Sequence, residues 1–216
     1  MPKQAFIISL FFALFLLPGI SEAITVDEHV YLIGAGSVDK VVLEKIKEHF
    51  ADNFPARVKV VIDERREIPA SAYDPSRKQY NAQAVLDDIS GRITIAMTDE
   101  RILVVVDSDL YVPGASYVLG LAEAKRGISI MSLARLKNEF YGLKKDDRLF
   151  YDRVLKEAIR EVGLSRGLSD CPNPKCVMHS SGVVSDSDKK RSAFCNDCQL
   201  KLHRSYNAPL FGPISI

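Results

Sequence analysis

The sequence has almost no net charge. Its 29 lysines and arginines and its 28 aspartates and glutamates leave a formal charge of +1 at pH 7. A chain without an excess of either sign offers no bulk attraction to nucleic acid or to an acidic membrane surface. The polar run at 183–192, "VVSDSDKKRS", mixes both signs. We therefore expect it to be a solvated loop between two cysteine pairs rather than a nucleic-acid-binding patch.

Long hydrophobic runs are also scarce. Residues 6–17, "FIISLFFALFLL", form the one such run, and it is shorter than the roughly 20 residues that a membrane-spanning helix needs. Lys3 precedes the run and "SEA" at 21–23 follows it, which is the pattern of a secretory signal cut after Ala23. An uncleaved membrane anchor is the alternative. We expect a signal peptide at 1–23, export to the periplasm or the medium, and no membrane span after its removal.

The rest of the chain has globular composition, with 47% hydrophobic and 26% charged residues. No internal repeat or low-complexity linker divides it, so residues 24–216 are predicted to form one domain with a sizeable core. Buried-strand patterns and helical spacing alternate, which predicts an α/β fold with a mixed, twisted sheet packed against helices. The predicted strands lie at 29–34, 56–63 and 101–107, with two short ones in 115–124 and 127–136 that form a hairpin. The predicted helices lie at 37–50, capped by Ser37, at 76–90, at 146–166 and near 197–204.

Histidine is rare, and its absence from the long helix matters most. Residues 160–171 read "REVGLSRGLSDC". In zinc peptidases of the metzincin type, histidines at the first, fifth and eleventh of these positions bind the metal, and a glutamate after the first is the general base. Arg160 and Leu164 here cannot ligate a metal. Asp170 could, but one carboxylate does not make a hydrolytic zinc site. Glu161 remains at the position of the base.

The four cysteines all lie in the last quarter of the chain, at Cys171, Cys176, Cys195 and Cys198. They form a Cys-x4-Cys pair followed by a Cys-x2-Cys pair. Four thiolates grouped in this way can surround a tetrahedral Zn²⁺ ion. The alternative is two disulfides, which an oxidising compartment would favour.

Together these motifs resemble the archaemetzincins, whose pattern continues from the helix motif through four cysteines and a methionine. The matching residues are Glu161, Gly167, Cys171, Cys176, Met178, Cys195 and Cys198. Upstream runs such as "YDPSRKQYNAQAVL" and "VVDSDLYVPGASYVLGLAE" extend the likeness over about 63–202. The resemblance implies a compact metzincin-like domain with a long active-site-type helix. It divides the domain into a sheet-and-helix part, 24–167, and a small four-cysteine zinc subdomain, 168–216.

Archaemetzincins look like zinc peptidases with two zinc sites. Three histidines hold the catalytic zinc, above a turn that contains the methionine, and four cysteines hold a second zinc. The resemblance carries the structural zinc over to the four cysteines and the turn to Met178. It does not carry the catalytic zinc over, because Arg160, Leu164 and Asp170 occupy the ligand positions. We therefore expect one structural zinc, and a cleft that has lost its activity or binds extended peptides. The alternatives are an active metallopeptidase with an unusual ligand set, and a secreted structural or binding protein stapled by disulfides.

The replaced ligands also predict a local geometry. If the chain follows the family's path, Arg160 and Asp170 converge on the vacated metal position and form an ion pair, with Leu164 in the place of the second imidazole. We also expect Glu161, the next residue on the helix, to share the guanidinium, which has five donors. The alternative is that Arg160 points to solvent.

Overall fold

A computed structural model describes residues 27–54, 57–93 and 100–207 of the chain. The strands are Asp27–Ala35 (β1), Arg57–Arg66 (β2), Tyr73–Asp74 (β3), Gln79–Asn81 (β4), Glu100–Val106 (β5), Leu110–Tyr111 (β6), Gly120–Glu123 (β7) and Ile128–Ser132 (β8). The helices are Lys40–Asn53 (α1), Ala82–Gly91 (α2), Asp147–Ser165 (α3), Val184–Lys189 (α4) and Asn196–Asn207 (α5). The predicted signal peptide lies outside the described residues. None of the described helices is long and apolar enough to span a bilayer.

The main sheet has five strands in the order β2-β1-β5-β8-β7. Neighbours from β2 to β8 are parallel, and β7 pairs with β8 in the antiparallel direction as the second arm of a hairpin. β5 lies at the centre, and its residues from Ile102 to Val106 are all buried, as expected for a parallel strand that is covered on both faces. The predicted mixed α/β sheet and its hairpin are confirmed.

Helices cover both faces of this sheet. Leu43 and Ile46 of α1 share one core cluster with Val154 and Ala158 of α3. Leu86 and other residues of α2 belong to a second cluster on the opposite face. The cysteine-bearing C-terminal segment packs into the first cluster, so the main core extends under the cysteines.

Two predicted helix starts were wrong. Asp39, and not Ser37, caps α1, because its carboxylate accepts the backbone N–H of Val41. The helix predicted at 76–90 begins only at Ala82, since Asn81 accepts the N–H groups of residues 83 and 84 and acts as an N-cap. The residues before it form β3 and β4, which pair with each other.

The run at 183–192 is not the solvated loop that its charges predict. It contains the short helix α4, and the side chains of Ser187 and Lys190 are buried. The reason is a buried carboxylate on α3, described below, which gives both polar groups a partner.

Candidate functional site

The end of α3 turns the chain back on itself. Gly167 adopts a left-handed conformation with φ of 85°, and the N–H groups of Gly167 and Leu168 donate to the carbonyls of Leu164 and Gly163. This is a Schellman motif, for which glycine is the favoured residue because it has no Cβ. The reversal returns the next residues, including Asp170 and Cys171, towards the last turns of the helix.

Arg160 meets two carboxyl groups there. One guanidinium nitrogen, Nη1, lies 3.2 Å from Oε1 of Glu161, and the other, Nη2, donates to Asp170. The Arg160 side chain is only 13% exposed and that of Asp170 is 57% exposed. The predicted ion pair is therefore present, and the alternative in which Arg160 points to solvent is wrong. Leu164 is half-buried and packs against the main core cluster.

These residues do not fit a catalytic zinc ion. A guanidinium has no lone pair to give a metal and remains charged at all relevant pH values. Leu164 has no donor atom. Within the described ranges, the four cysteines are the one group of three or more His, Cys, Asp or Glu side chains whose ligand atoms lie close enough together for a metal. No such group forms around Arg160 among the residues that the structure describes.

Glu161 is buried at the edge of the sheet. Its side chain is 1% exposed, and burial raises the pKa of its carboxyl to about 8, against the opposing effect of the Arg160 charge. The carboxyl lies against Gly120 of β7, where an added Cβ atom would be 2.5 Å from the Glu161 Cδ. Burial therefore favours the protonated form of Glu161, and its carboxyl occupies space that only a glycine in β7 leaves free.

One turn earlier on α3, a second buried carboxylate forms an ion pair. Oε1 of Glu157 accepts from Nζ of Lys190 at 3.2 Å and from the hydroxyl groups of Ser187 at 2.7 Å and Ser181 at 3.1 Å. Lys190 is fully buried in this pair, and its burial lowers the pKa of its amine. Nothing in the local pattern of the sequence predicts this network. A possible clue is the spacing of Glu157 and Glu161, which are four residues apart and so share a helix face.

The polar cluster on α3 is balanced in charge when Glu161 is protonated. The cations Arg160 and Lys190 then face the anions Glu157 and Asp170. Ionisation of Glu161 would add an uncompensated negative charge in a buried place, which is costly. The arrangement keeps charges paired inside the protein without requiring a metal ion.

The four cysteines form a separate site next to this cluster. Cys171 follows the turn after α3, and Cys176 follows a short loop. Cys195 immediately precedes α5, and Cys198 lies in its first turn. Their sulfur atoms all lie within 4.8 Å of one another, none is in a disulfide, and Sγ of Cys171 is 3.7 Å from that of Cys195. Sulfurs bound at about 2.3 Å around a tetrahedral zinc would be roughly 3.8 Å apart. The donor set therefore fits a Zn²⁺ ion.

Met178 packs against α3. It is fully buried, and an added Cβ atom at Gly163 would be 2.7 Å from its sulfur. Its carbonyl accepts the N–H of Cys171 at 3.0 Å. Met178 thus links the floor of the α3 cluster to the cysteine site.

Comparison with known proteins identifies the family. The profile of Peptidase family M54 matches residues 28–204. The chain belongs to peptidase family M54. It is 36% identical to the archaemetzincin of Pyrococcus furiosus over 179 residues, which are 80% of this chain and 91% of that protein.

Solved structures of family members have the same fold. The zinc-dependent peptidase of Methanocorpusculum labreanum superimposes with a TM-score of 0.71 at 32% identity, over 80% of this chain and 99% of that one. The archaemetzincin of Methanopyrus kandleri gives a TM-score of 0.71 at 30% identity, over 84% of this chain and 97% of that one. The predicted archaemetzincin-like fold is confirmed, and zinc is expected for members of this family.

Proposed function

We propose that this M54 protein is a catalytically inactive member of its family, which keeps one structural zinc ion and does not bind the catalytic one. The observation that carries the proposal is the paired guanidinium of Arg160. A cation of the protein itself, held by Glu161 and Asp170, stands at the position that the motif assigns to the first histidine. Electrostatic repulsion and the lack of lone pairs both oppose a metal ion beside it.

The structural ion is assigned to Cys171, Cys176, Cys195 and Cys198. Three of these side chains are buried, and the four sulfur atoms lie within 4.8 Å of one another without a disulfide between them. A tetrahedral zinc bound to thiolates contributes directly to the folding free energy of a small subdomain. We therefore assign the ion a structural role and no part in catalysis.

The free edge of β7, the strand against which Glu161 packs, is proposed to bind an extended peptide. β7 pairs with β8 along one side, and no second partner strand for β7 is present among the described residues. A peptide can add to such an edge by main-chain hydrogen bonds without any chemistry at the bound chain. This would preserve the recognition surface of a peptidase after the loss of its metal.

Export is part of the same proposal and rests on residues 1–23 alone. Mass spectrometry of the protein from its native host should show a mature chain that begins at Ile24. A chain that keeps Met1 to Ala23 would exclude processing by signal peptidase.

The experiment that tests the function is a peptidase assay on the purified chain with unstructured peptide substrates, with and without added Zn²⁺. We expect no cleavage by the wild type or by Glu161→Gln. Zinc-dependent cleavage that Glu161→Gln abolishes would show an active enzyme with an unusual ligand set. The triple variant Arg160→His, Leu164→His and Asp170→His should gain a second bound zinc, because it restores the motif on the same helix.

A further inference from the structure

The free edge of β7 ends at a bridge to another part of the chain. The carbonyl of Leu119 accepts the N–H of Ser132, so Leu119 faces β8. Because residues alternate in an antiparallel ladder, the main-chain groups of Gly120 point away from β8, towards the free edge. On that same side, the N–H of Val118 donates to the carbonyl of Leu110 at 2.9 Å. A peptide that pairs with β7 therefore cannot continue past Gly120 without displacing Leu110.

The closed end of this edge lies beside Arg160. Oε1 of Glu161 is 2.7 Å from the position of an added Cβ atom at Gly120, and it is 3.2 Å from Nη1 of Arg160. The terminal group of a bound peptide would thus meet a guanidinium. A free N-terminus is a cation and is repelled, whereas a C-terminal carboxylate is attracted. The charge therefore favours a peptide whose C-terminus lies at Gly120 and whose direction is antiparallel to β7.

One of the hydrogen-bonding edges of Arg160 is only half used. Nε and Nη2 point the same way and form a fork that fits the two oxygens of one carboxylate. Nη2 donates to Asp170, but Nε is buried and has no hydrogen-bond partner in the part of the chain that the structure describes. A buried donor without a partner is costly. A carboxylate that accepts from both nitrogens would remove this cost.

A second buried atom without a partner belongs to Glu161. Its Oε1 lies beside Arg160, whereas its Oε2 makes no hydrogen bond to any of the described residues. Because burial raises the pKa of this carboxyl to about 8, Oε2 can carry a proton and donate it to an incoming oxygen. Two consecutive residues of α3 thus each have a buried polar atom that an anionic ligand can satisfy.

Asp170 is the group that such a ligand would displace. Its side chain is 57% exposed, whereas that of Arg160 is 13% exposed. Release of an exposed carboxylate from its ion pair costs at most about 1 kcal/mol, since solvent screens the pair. The charge of the cluster stays balanced, because one carboxylate replaces another on the same guanidinium.

We propose that Arg160 binds the C-terminal carboxylate of a peptide that lies antiparallel to β7 along its free edge. The inference rests on the proposed peptide binding at this edge and adds the chemical class of the ligand, a peptide with a free C-terminus. The carboxylate takes the place of Asp170 on Nη2 and also accepts from Nε. Main-chain hydrogen bonds to β7 hold the residues that precede it.

The test uses the full chain, with zinc at the cysteines, and a mixture of N-acetylated pentapeptides of varied sequence. Each peptide is made as the free acid and as the C-terminal amide. Affinity selection with mass spectrometry identifies the sequence that binds best, and calorimetry measures the dissociation constants of its two forms.

Two variants and one control complete the test. Arg160→Gln removes the guanidinium. Asp170→Asn removes the competing carboxylate at constant side-chain size, and it keeps the test decisive if Arg160→Gln does not fold. Arg148→Gln is the matched control, because Arg148 is an exposed arginine in the first turn of the same helix.

We expect the free acid to bind about tenfold more tightly than the amide, which corresponds to about 1.4 kcal/mol. Arg160→Gln should abolish this preference and leave the affinity for the amide unchanged. Asp170→Asn should strengthen binding of the acid alone, and Arg148→Gln should change neither affinity. Equal affinities of the wild type for both forms, or a preference that Arg160→Gln and Asp170→Asn leave unchanged, would overturn the inference and leave peptide binding at the edge intact. Binding of neither form would overturn both the inference and the proposed peptide binding.

Discussion

Lys190 and Glu157 form an ion pair that is removed from solvent, with Nζ 3.2 Å from Oε1 and with side-chain exposures of 0% and 2%. The pair joins the segment between the two cysteine pairs to the middle of α3. Lys190 also donates to Oγ of Ser181 at 2.7 Å and to the carbonyl of His179 at 3.2 Å. The cysteine-bearing segment is thus attached to the helix by a polar contact in addition to the apolar core.

Removal of either Lys190 or Glu157 should destabilise the folded protein. We expect Lys190→Met to lower the free energy of unfolding by about 3–5 kcal/mol, because it leaves the Glu157 carboxylate buried without a counter-charge. The double variant Glu157→Gln with Lys190→Met should lose less than the sum of the single losses. Chemical denaturation of the four proteins measures this coupling, and additive losses would contradict it. Lys189→Met is the control, since Lys189 is 68% exposed.

Stability should fall as the pH rises towards 8. The folded chain raises the pKa of Glu161 from about 4.5 to about 8, so the folded state holds a proton that the unfolded state loses. The protonated carboxyl contributes its full share to the free energy of unfolding below about pH 4.5, and this contribution is lost as the pH rises through 8. Thermal melts of the wild type and of Glu161→Gln across this window provide the measurement. The variant should show the smaller loss, and parallel pH profiles would count against a buried, protonated Glu161.

The ion pair between Arg160 and Asp170 should contribute less to the free energy of unfolding than the burial of Arg160 suggests. Asp170 is 57% exposed, so solvent screens the interaction, and we expect Asp170→Ala to cost about 1 kcal/mol. Arg160→Leu should cost more, since it also removes the partner of Glu161. The double variant Arg160→Leu with Asp170→Leu should lose less than the sum of the single changes. Equilibrium unfolding in urea tests this, and strictly additive losses would remove the coupling.

Replacement of Gly120 should destabilise the protein, because the carboxyl group of Glu161 lies against this glycine. A Cβ atom there would be 2.5 Å from the carboxyl carbon, so Gly120→Ala is expected to destabilise the chain by about 1–3 kcal/mol. Adding Glu161→Ala should relieve the clash and recover part of the loss. Gly91→Ala is the control, because no atom lies within 4 Å of its added Cβ. Equal melting temperatures for Gly120→Ala and wild type would contradict this contact.

Local pattern predicted the sheet and the long helix because their apolar periodicity is strong. The run of buried residues in β5 and the hydrophobic face of α3 each identify an element without tertiary information. The pair between Arg160 and Asp170 was also predictable, since the family's chain path brings both positions together. The starts of α1 and α2 were not predictable in the same way. They are set by the side chains of Asp39 and Asn81, which accept local backbone N–H groups, and apolar periodicity does not report such bonds.

The contact between Lys190 and Glu157 was not predictable from either position. A lysine in a polar run is most often solvated. Its burial depends on a carboxylate 33 residues earlier and on two serines that complete the hydrogen bonds. The spacing of the four cysteines is compatible with their convergence on one point. The same spacing is also compatible with two disulfides, so the sequence alone does not distinguish the two arrangements.

The number of zinc ions per chain decides whether Arg160 has replaced the catalytic metal, and elemental analysis of the purified protein together with titration of its thiols measures it. We expect one zinc ion that resists mild chelation and is lost in Cys198→Ser, with four free thiols after denaturation and metal removal. Two zinc ions in the wild type would contradict the claim that Arg160 has replaced the catalytic metal. No zinc and no free thiols would instead show that the four cysteines form disulfides.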